Sequence, residues 1–151
     1  MLANAYSTTG AIRPKQLSKN MSAVFRLSAR IYLCSLVPDF DRHAPNVVHL
    51  VKSLTDAMEF IPAGPEGFDR SLVWPLLIAG SVATADSTFR ATFFERVSRL
   101  GEASDVGSFG RVKEILKDVW IINDDAFAKG GRQSVHWRDV MRQKQWDFLL
   151  I

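Results

Sequence analysis

Apolar side chains recur along this chain at intervals of three and four, the spacing that aligns one face of an α-helix. From Met21 to Val37 the positions Val24, Leu27, Ile31 and Cys34 keep that spacing. Pro38 closes the segment, because the residue before a proline avoids the helical region. The next stripe, Val47, Leu50, Val51, Leu54, Met58 and Ile61, follows Pro45, a favoured first-turn residue. His49, Lys52 and Asp56 fall largely off that stripe, so this helix packs on the body and shows a polar face to water. Pro62 ends it, and PAGPEG is a turn-rich loop.

The stretch GFDRSLVWPLLIAGSVA, Gly67 to Ala83, breaks the amphipathic pattern. Its run from Leu72 to Ala83 is largely apolar and shorter than the ~20 residues a bilayer span needs. Central strands exclude a proline such as Pro75. A helix starting near Ser71 places Pro75 in the first turn, where the missing N–H costs least. With almost its whole circumference apolar, the segment reads as a central buried helix, and Gly80, Ser81 and Ala83 would let a neighbouring helix come close.

Three more helical segments follow. Phe89, Phe93, Val97 and Leu100 share a face behind a cap at Asp86 or Ser87, with a Glu95–Arg99 pair and Gly101 as the C-terminal cap. Val112, Ile115, Leu116, Val119 and Trp120 form the stripe of SFGRVKEILKDVWII, and NDDAFAKGGRQS then reads as a loop. The last helix begins at Ser134 as cap and carries Trp137, Val140 and Met141, and the apolar terminus is expected to dock on the body. No strand pattern and no repeat of fixed period is visible. The expected fold class is all-α, an irregular bundle of about six helices that forms part of a larger helical domain. Residues 1–20, with Gly10 and Pro14, read as a loose lead-in, and 21–151 as the helical domain portion.

Composition adds bounds. Apolar residues are 47% of the 151, enough for a sizeable core. A net charge of +3 is too mild to argue for a nucleic-acid or membrane partner. Cys34 is the one cysteine, so neither an internal disulfide nor a multi-thiolate metal cluster can form, and a reducing compartment is expected. The acid-poor N-terminus, with Arg13, Lys15, Lys19, Arg26 and Arg30 before Asp39, has the composition of a transit peptide, but FRLSARIYLCSLV carries too much apolar bulk for a discarded address.

Candidate chemistry is sparse. His43, His49 and His136 lie at no metal-ligand spacing. Asp39, Asp41 and His43 in DFDRH read first as a solvated loop. Arg138 and Arg142 in HWRDVMR stand four apart and could grip a phosphate, although Asp139 partly neutralises them. Asp124 and Asp125 have no partner carboxylate, no phosphate-cradling glycine loop ends in Gly-Lys-Ser/Thr, and no Gly-x-Ser-x-Gly elbow is present. Cys34 reads as a buried small hydrophobe, and Trp74, Trp120, Trp137 and Trp146 as core packing rather than a ligand box. No catalytic, cofactor-binding or metal residue is assigned, and no enzymatic activity is expected.

Five segments, FRLSARIYLCSLVPDF, GFDRSLVWPLLIAGSVA, FFERVSRLG, GSFGRVKEILKDVW and VHWRDVMRQKQWDFLLI, resemble in order the C-terminal part of the fungal-specific transcription factor domain. That domain belongs to regulators with an N-terminal zinc binuclear cluster. The resemblance runs from about Phe25 to Ile151 and rests on WPLLIAG combined with the closing HWRDVM and WDFLLI. It implies a helical regulatory region, a nuclear location, and control of transcription through an effector or a protein partner. The family's cluster takes six cysteines, so the zinc, and DNA binding with it, would belong to a missing N-terminal segment; this chain looks like the tail of such a regulator, a fragment or a truncated paralogue. Protein partners or self-association, a possible small-molecule effector and no membrane are the expected associations. Two other readings stay open: a helical interaction module unrelated to transcription, and a small helical ligand-binding protein or enzyme using a Trp-lined interior.

Overall fold

A proline expected to break the chain instead starts its first helix. In the computed structural model, which describes residues 14–131 and 135–146, α1 runs Pro14–Ser35. Pro14 opens it, where a proline's missing N–H is not needed. The expected lead-in is therefore helical over residues 14–20; Gly10 lies outside the described residues. Apolar spacing missed these turns because the buried face of α1 is Asn20, Val24, Ser28 and Ile31, half of it polar. The hydroxyl of Ser28 donates to the carbonyl of Phe25, and Asn20 Nδ2 donates to that of Phe60 at 3.4 Å.

Helix α2 (Pro45–Met58) begins at Pro45 and buries the stripe from Val47 to Met58; Ile61 is buried as well but lies past the helix, which ends before the stop expected at Pro62. The loop behind it folds back on itself, with Gly67 N donating to Gly64 O and Phe68 N to Pro62 O. A Cβ on Gly67 would stand 2.4 Å from the carbonyl oxygen of Pro62, so this approach needs glycine. A 3-10 turn, Asp69–Leu72, leads into α3 (Val73–Ser81). Pro75 is the third residue of α3, as first-turn tolerance requires. Every α3 residue except Trp74 is buried, and α3 packs against α1, α4 and α5. It is the central helix.

Helix α4 (Thr88–Leu100) is capped by Ser87, whose hydroxyl accepts from Phe89 N, and ends at Gly101. After a second 3-10 turn, Gly101–Asp105, α5 runs Gly107–Ala128. The sequence expected a loop from Asn123, but the helix continues for six more residues. Asn123 is buried there and its side chain is bonded at both ends to the backbone of Val135. The last helix, α6 (Trp137–Gln143), is capped by His136. The cap expected at Ser134 and the apolar terminus from residue 147 lie outside the described residues. The architecture is an all-α irregular bundle of six helices, with no strand among the described residues. No helix of the described residues is long and apolar enough to cross a membrane.

Two arginines, Arg96 buried and Arg90 partly buried, bind the layers together. Arg96 of α4 pairs with Asp69 at 2.6 Å, and its other nitrogens donate to the carbonyls of Met58 and Ile61. It thus caps the end of α2 while neutralising the one carboxylate of the GFDR turn. Burial pushes the Asp69 carboxyl above its ordinary range, against the opposing pull of Arg96. Arg90 grips Asp124 of α5 with both terminal nitrogens, donates to the carbonyl of Ala83, and lies over the Trp120 ring at 4.7 Å.

Candidate functional site

Three stretches far apart in sequence border a half-open pocket of about 170 Å³. The loop between α1 and α2 contributes Val37, Pro38, Phe40 and Arg42; the end of α3 contributes Ser81 and Val82; the start of α6 contributes Val135, His136 and Trp137. Two are placed by local stops and the third by a tertiary bond. Pro38 turns the chain out of α1, α3 stops at Ser81, and the Asn123 amide holds Val135 against α5.

Arg42 spans the floor. It is 8% exposed and donates through Nη1 to the carbonyl of Ser81 at 2.9 Å, satisfying one of the orphan acceptors at the end of α3. Its Nε has no hydrogen-bond partner. Burial, and then the neighbouring Arg90, lower the Arg42 pKa to about 10, opposed by Asp124 and Asp41, so the guanidinium is still charged at neutral pH. His136 accepts from Arg138 N through Nδ1, which leaves the hydrogen of the neutral ring on Nε2. Burial, Arg138 and Arg42 hold its pKa below the ordinary histidine range, against the pull of Asp139. His136 Nε2 and Trp137 Nε1 are both buried and without partners. Arg42, His136 and Trp137 thus border one pocket, and each also carries a buried N–H with no protein acceptor.

A family model described as fungal specific transcription factor domain matches residues 2–151. The chain belongs to this family. Across 99% of its length it is 45% identical to the transcriptional regulatory protein pro1 of Neurospora crassa. The chain spans 24% of that relative's length. No solved structure gives a significant match. Membership agrees with the order of the segments from FRLSARIYLCSLVPDF to HWRDVM, and with the helical architecture.

Within this fungal transcription factor domain, the residues singled out by sequence have mostly structural settings. Asp41 accepts from His43 N, and the His43 ring stacks on Phe127 at 4.2 Å. His49 is exposed. Arg138 bonds to the Tyr32 hydroxyl and lies over the Tyr32 and Trp137 rings, while Arg142 is exposed near Asp139. The two arginines do not form a joint phosphate grip. Asp124 is held by Arg90, and Asp125 by exposed Lys129. Cys34 is half-buried, not fully buried as expected. Trp120 sits among Phe93 and Phe94 and donates to the carbonyl of Gly80 at 2.7 Å, and Trp74 packs between Phe25 and Tyr32. No group of three or more His, Cys, Asp or Glu stands ready to hold a metal ion among the described residues. Sequence reasoning missed Arg42. Flanked by Asp41 and His43, it looked like part of a solvated loop, and nothing local signals that Ser81 closes over it.

Proposed function

We propose that this chain is the regulatory, non-DNA-reading helical part of a fungal transcription factor, acting in the nucleus through association with an effector or a protein. The observation that carries the reading is the family match along residues 2–151. The 45% identity to a transcriptional regulatory protein supports it. So does the character of the surface and interior. Leu33 near the end of α1, and Leu36 and Val37 just beyond it, are each about half exposed or more, which is apolar area available for association. Regulation also needs an effector contact that differs between two states, and the pocket bordered by Val37 lies beside this apolar end. With Cys34 as the one cysteine, this chain does not supply the six thiolates of a zinc binuclear cluster, so DNA reading is assigned to another segment.

A reporter experiment tests the proposal. The chain, fused to an unrelated DNA-binding module in a fungal host, is expected to alter expression of a reporter carrying that module's site, and the unfused tagged chain is expected to concentrate in nuclei when co-expressed with its DNA-reading segment. Cytoplasmic retention together with an inert fusion would favour a helical interaction module outside transcription.

A further inference from the structure

We propose that the outward face of α1 docks an acidic amphipathic helix of a partner protein, with the exposed apolar row around Leu33 as its anchor and Arg26 and Arg30 as partners for its carboxylates. This names the partner class of the association proposed above and rests on that reading. The two sides of α1 differ in kind. Asn20, Val24, Ser28 and Ile31 are turned into the protein, where α1 packs on α2 and α3. On the outward side Phe25, Ala29 and Leu33 stand four apart and are exposed, and Leu36 and Val37 carry the row past the helix end. Side chains at that spacing form a ridge, the feature against which a second helix packs. The aromatic end of the ridge is fixed, since the Phe25 ring stacks on Trp74 and Tyr32 meets Trp74 edge-on.

Charge is as uneven as burial. Of the 19 basic and 16 acidic residues, five basic and no acidic ones precede Asp39, so the rest of the chain is slightly acidic, 14 against 16. Helix α1 carries Lys15, Lys19, Arg26 and Arg30, all exposed, and none of them is in an ion pair among the described residues. Arg26 and Arg30 each follow a ridge residue by one position, so they run alongside the ridge. A helix with apolar residues on one side and Asp or Glu beside them matches both halves of this face, and arginine holds a carboxylate through paired, charge-assisted bonds. Other occupants match one half. A nucleic acid is bound chiefly through its phosphates and leaves the Leu33 row uncovered. A lipid surface takes up the apolar side of an amphipathic helix; here that side is already turned into the bundle, and Phe25 is held against Trp74 rather than projecting.

The test is fluorescence anisotropy of labelled synthetic amphipathic helices, with leucine on one side, glutamate beside it and a different leucine spacing in each, titrated with the purified chain. At least one is expected to bind saturably, and versions with glutamine for glutamate or serine for leucine to bind about ten-fold more weakly. Arg26→Gln combined with Arg30→Gln is expected to cost about ten-fold in affinity and to flatten its salt dependence, and Leu33→Glu to cost at least as much. These positions are exposed, so thermal unfolding followed by circular dichroism is expected to show an unchanged Tm. No saturable binding by any of the peptides up to about 1 mM would overturn the proposal, and so would an affinity indifferent to the Arg26 and Arg30 changes. Tighter binding of a DNA duplex or of phosphatidylserine vesicles would hand the face to phosphates, and a dimer abolished by Leu33→Glu would hand it to a second copy; either result overturns the proposal. Peptide binding beside an inert reporter fusion would refute the transcriptional reading and leave the surface standing. An active fusion indifferent to these substitutions would do the reverse.

Discussion

Arg96 ties three separate segments of this fold to one another. From one buried position it neutralises Asp69 and donates to the carbonyls of Met58, the last residue of α2, and of Ile61 just beyond it. Breaking a buried pair by removing one partner costs about 3–5 kcal/mol, because the other charge is stranded. Arg96→Met is therefore expected to lower unfolding free energy by that order in urea titration, and Asp69→Asn by less, since Arg96 keeps its carbonyl partners. The sign of the pH effect follows from Asp69. Its folded pKa is already raised by burial, and loss of Arg96 raises it further, so the native state binds a proton that the unfolded chain releases. The deficit of Arg96→Met is expected to shrink as pH falls through that folded pKa. His136 works in the opposite direction. Its folded pKa lies below the ordinary 6.5, so on acidification the unfolded chain protonates first and native stability falls. Wild-type stability is expected to drop relative to His136→Gln as pH decreases below about 6.5, measured by parallel urea titrations. The groups facing His136 are Arg138 and Arg42, which repel the proton, and Asp139, which attracts it.

At the scale of elements, the meeting of α3 and α5 turns on Gly80. A Cβ there would stand 2.7 Å from Leu116 Cδ1 and 3.1 Å from Phe89 Cε1, while the Gly80 carbonyl accepts from Trp120. Overpacking a core costs about 1–3 kcal/mol, and Gly80→Ala is expected to lose that much in equilibrium unfolding despite alanine's better helix propensity. Small residues in this helix were legible in the sequence as a sign of close approach. The identity of the neighbour was not, because Leu116 lies on another stripe of the same apolar character. The length of α5 was misread for a related reason. NDDAFA is polar and loop-like locally, yet Asn123 gains two bonds to the backbone of Val135 only if the helix continues. Asn123→Ala is expected to loosen the return to α6, seen as faster amide exchange across residues 135–140, while α2 and α3 keep their protection.

At the scale of the whole molecule, α3 makes the bundle a unit. It touches α1, α4 and α5, and α1 and α4 each also pack on α2, so unfolding is expected to be one cooperative transition. The exposed apolar end of α1 stands outside that core. Leu33 is 64% exposed, and surface substitutions of this kind change stability within about 0.5 kcal/mol. Leu33→Glu is expected to leave Tm nearly unchanged while reducing the effect of the fused domain on a reporter. A large loss of Tm would show that this end belongs to the core, contrary to its exposure.

The sequence by itself determined the class and order of the elements. Helical periodicity is a local property, so the stripe of α2, the all-round apolar α3, the cap at Ser87 and the Gly101 stop could be read residue by residue, and the family resemblance followed from the same segments. The tertiary structure alone decided which polar residues are buried and whom they meet. Arg42 and Ser81, Arg96 and Asp69, and Asn123 and Val135 are pairs separated by a loop or a whole helix. Hydrogen bonding between them depends on a distance in space that no spacing along the chain encodes. The pocket at Arg42, His136 and Trp137 is of that second kind.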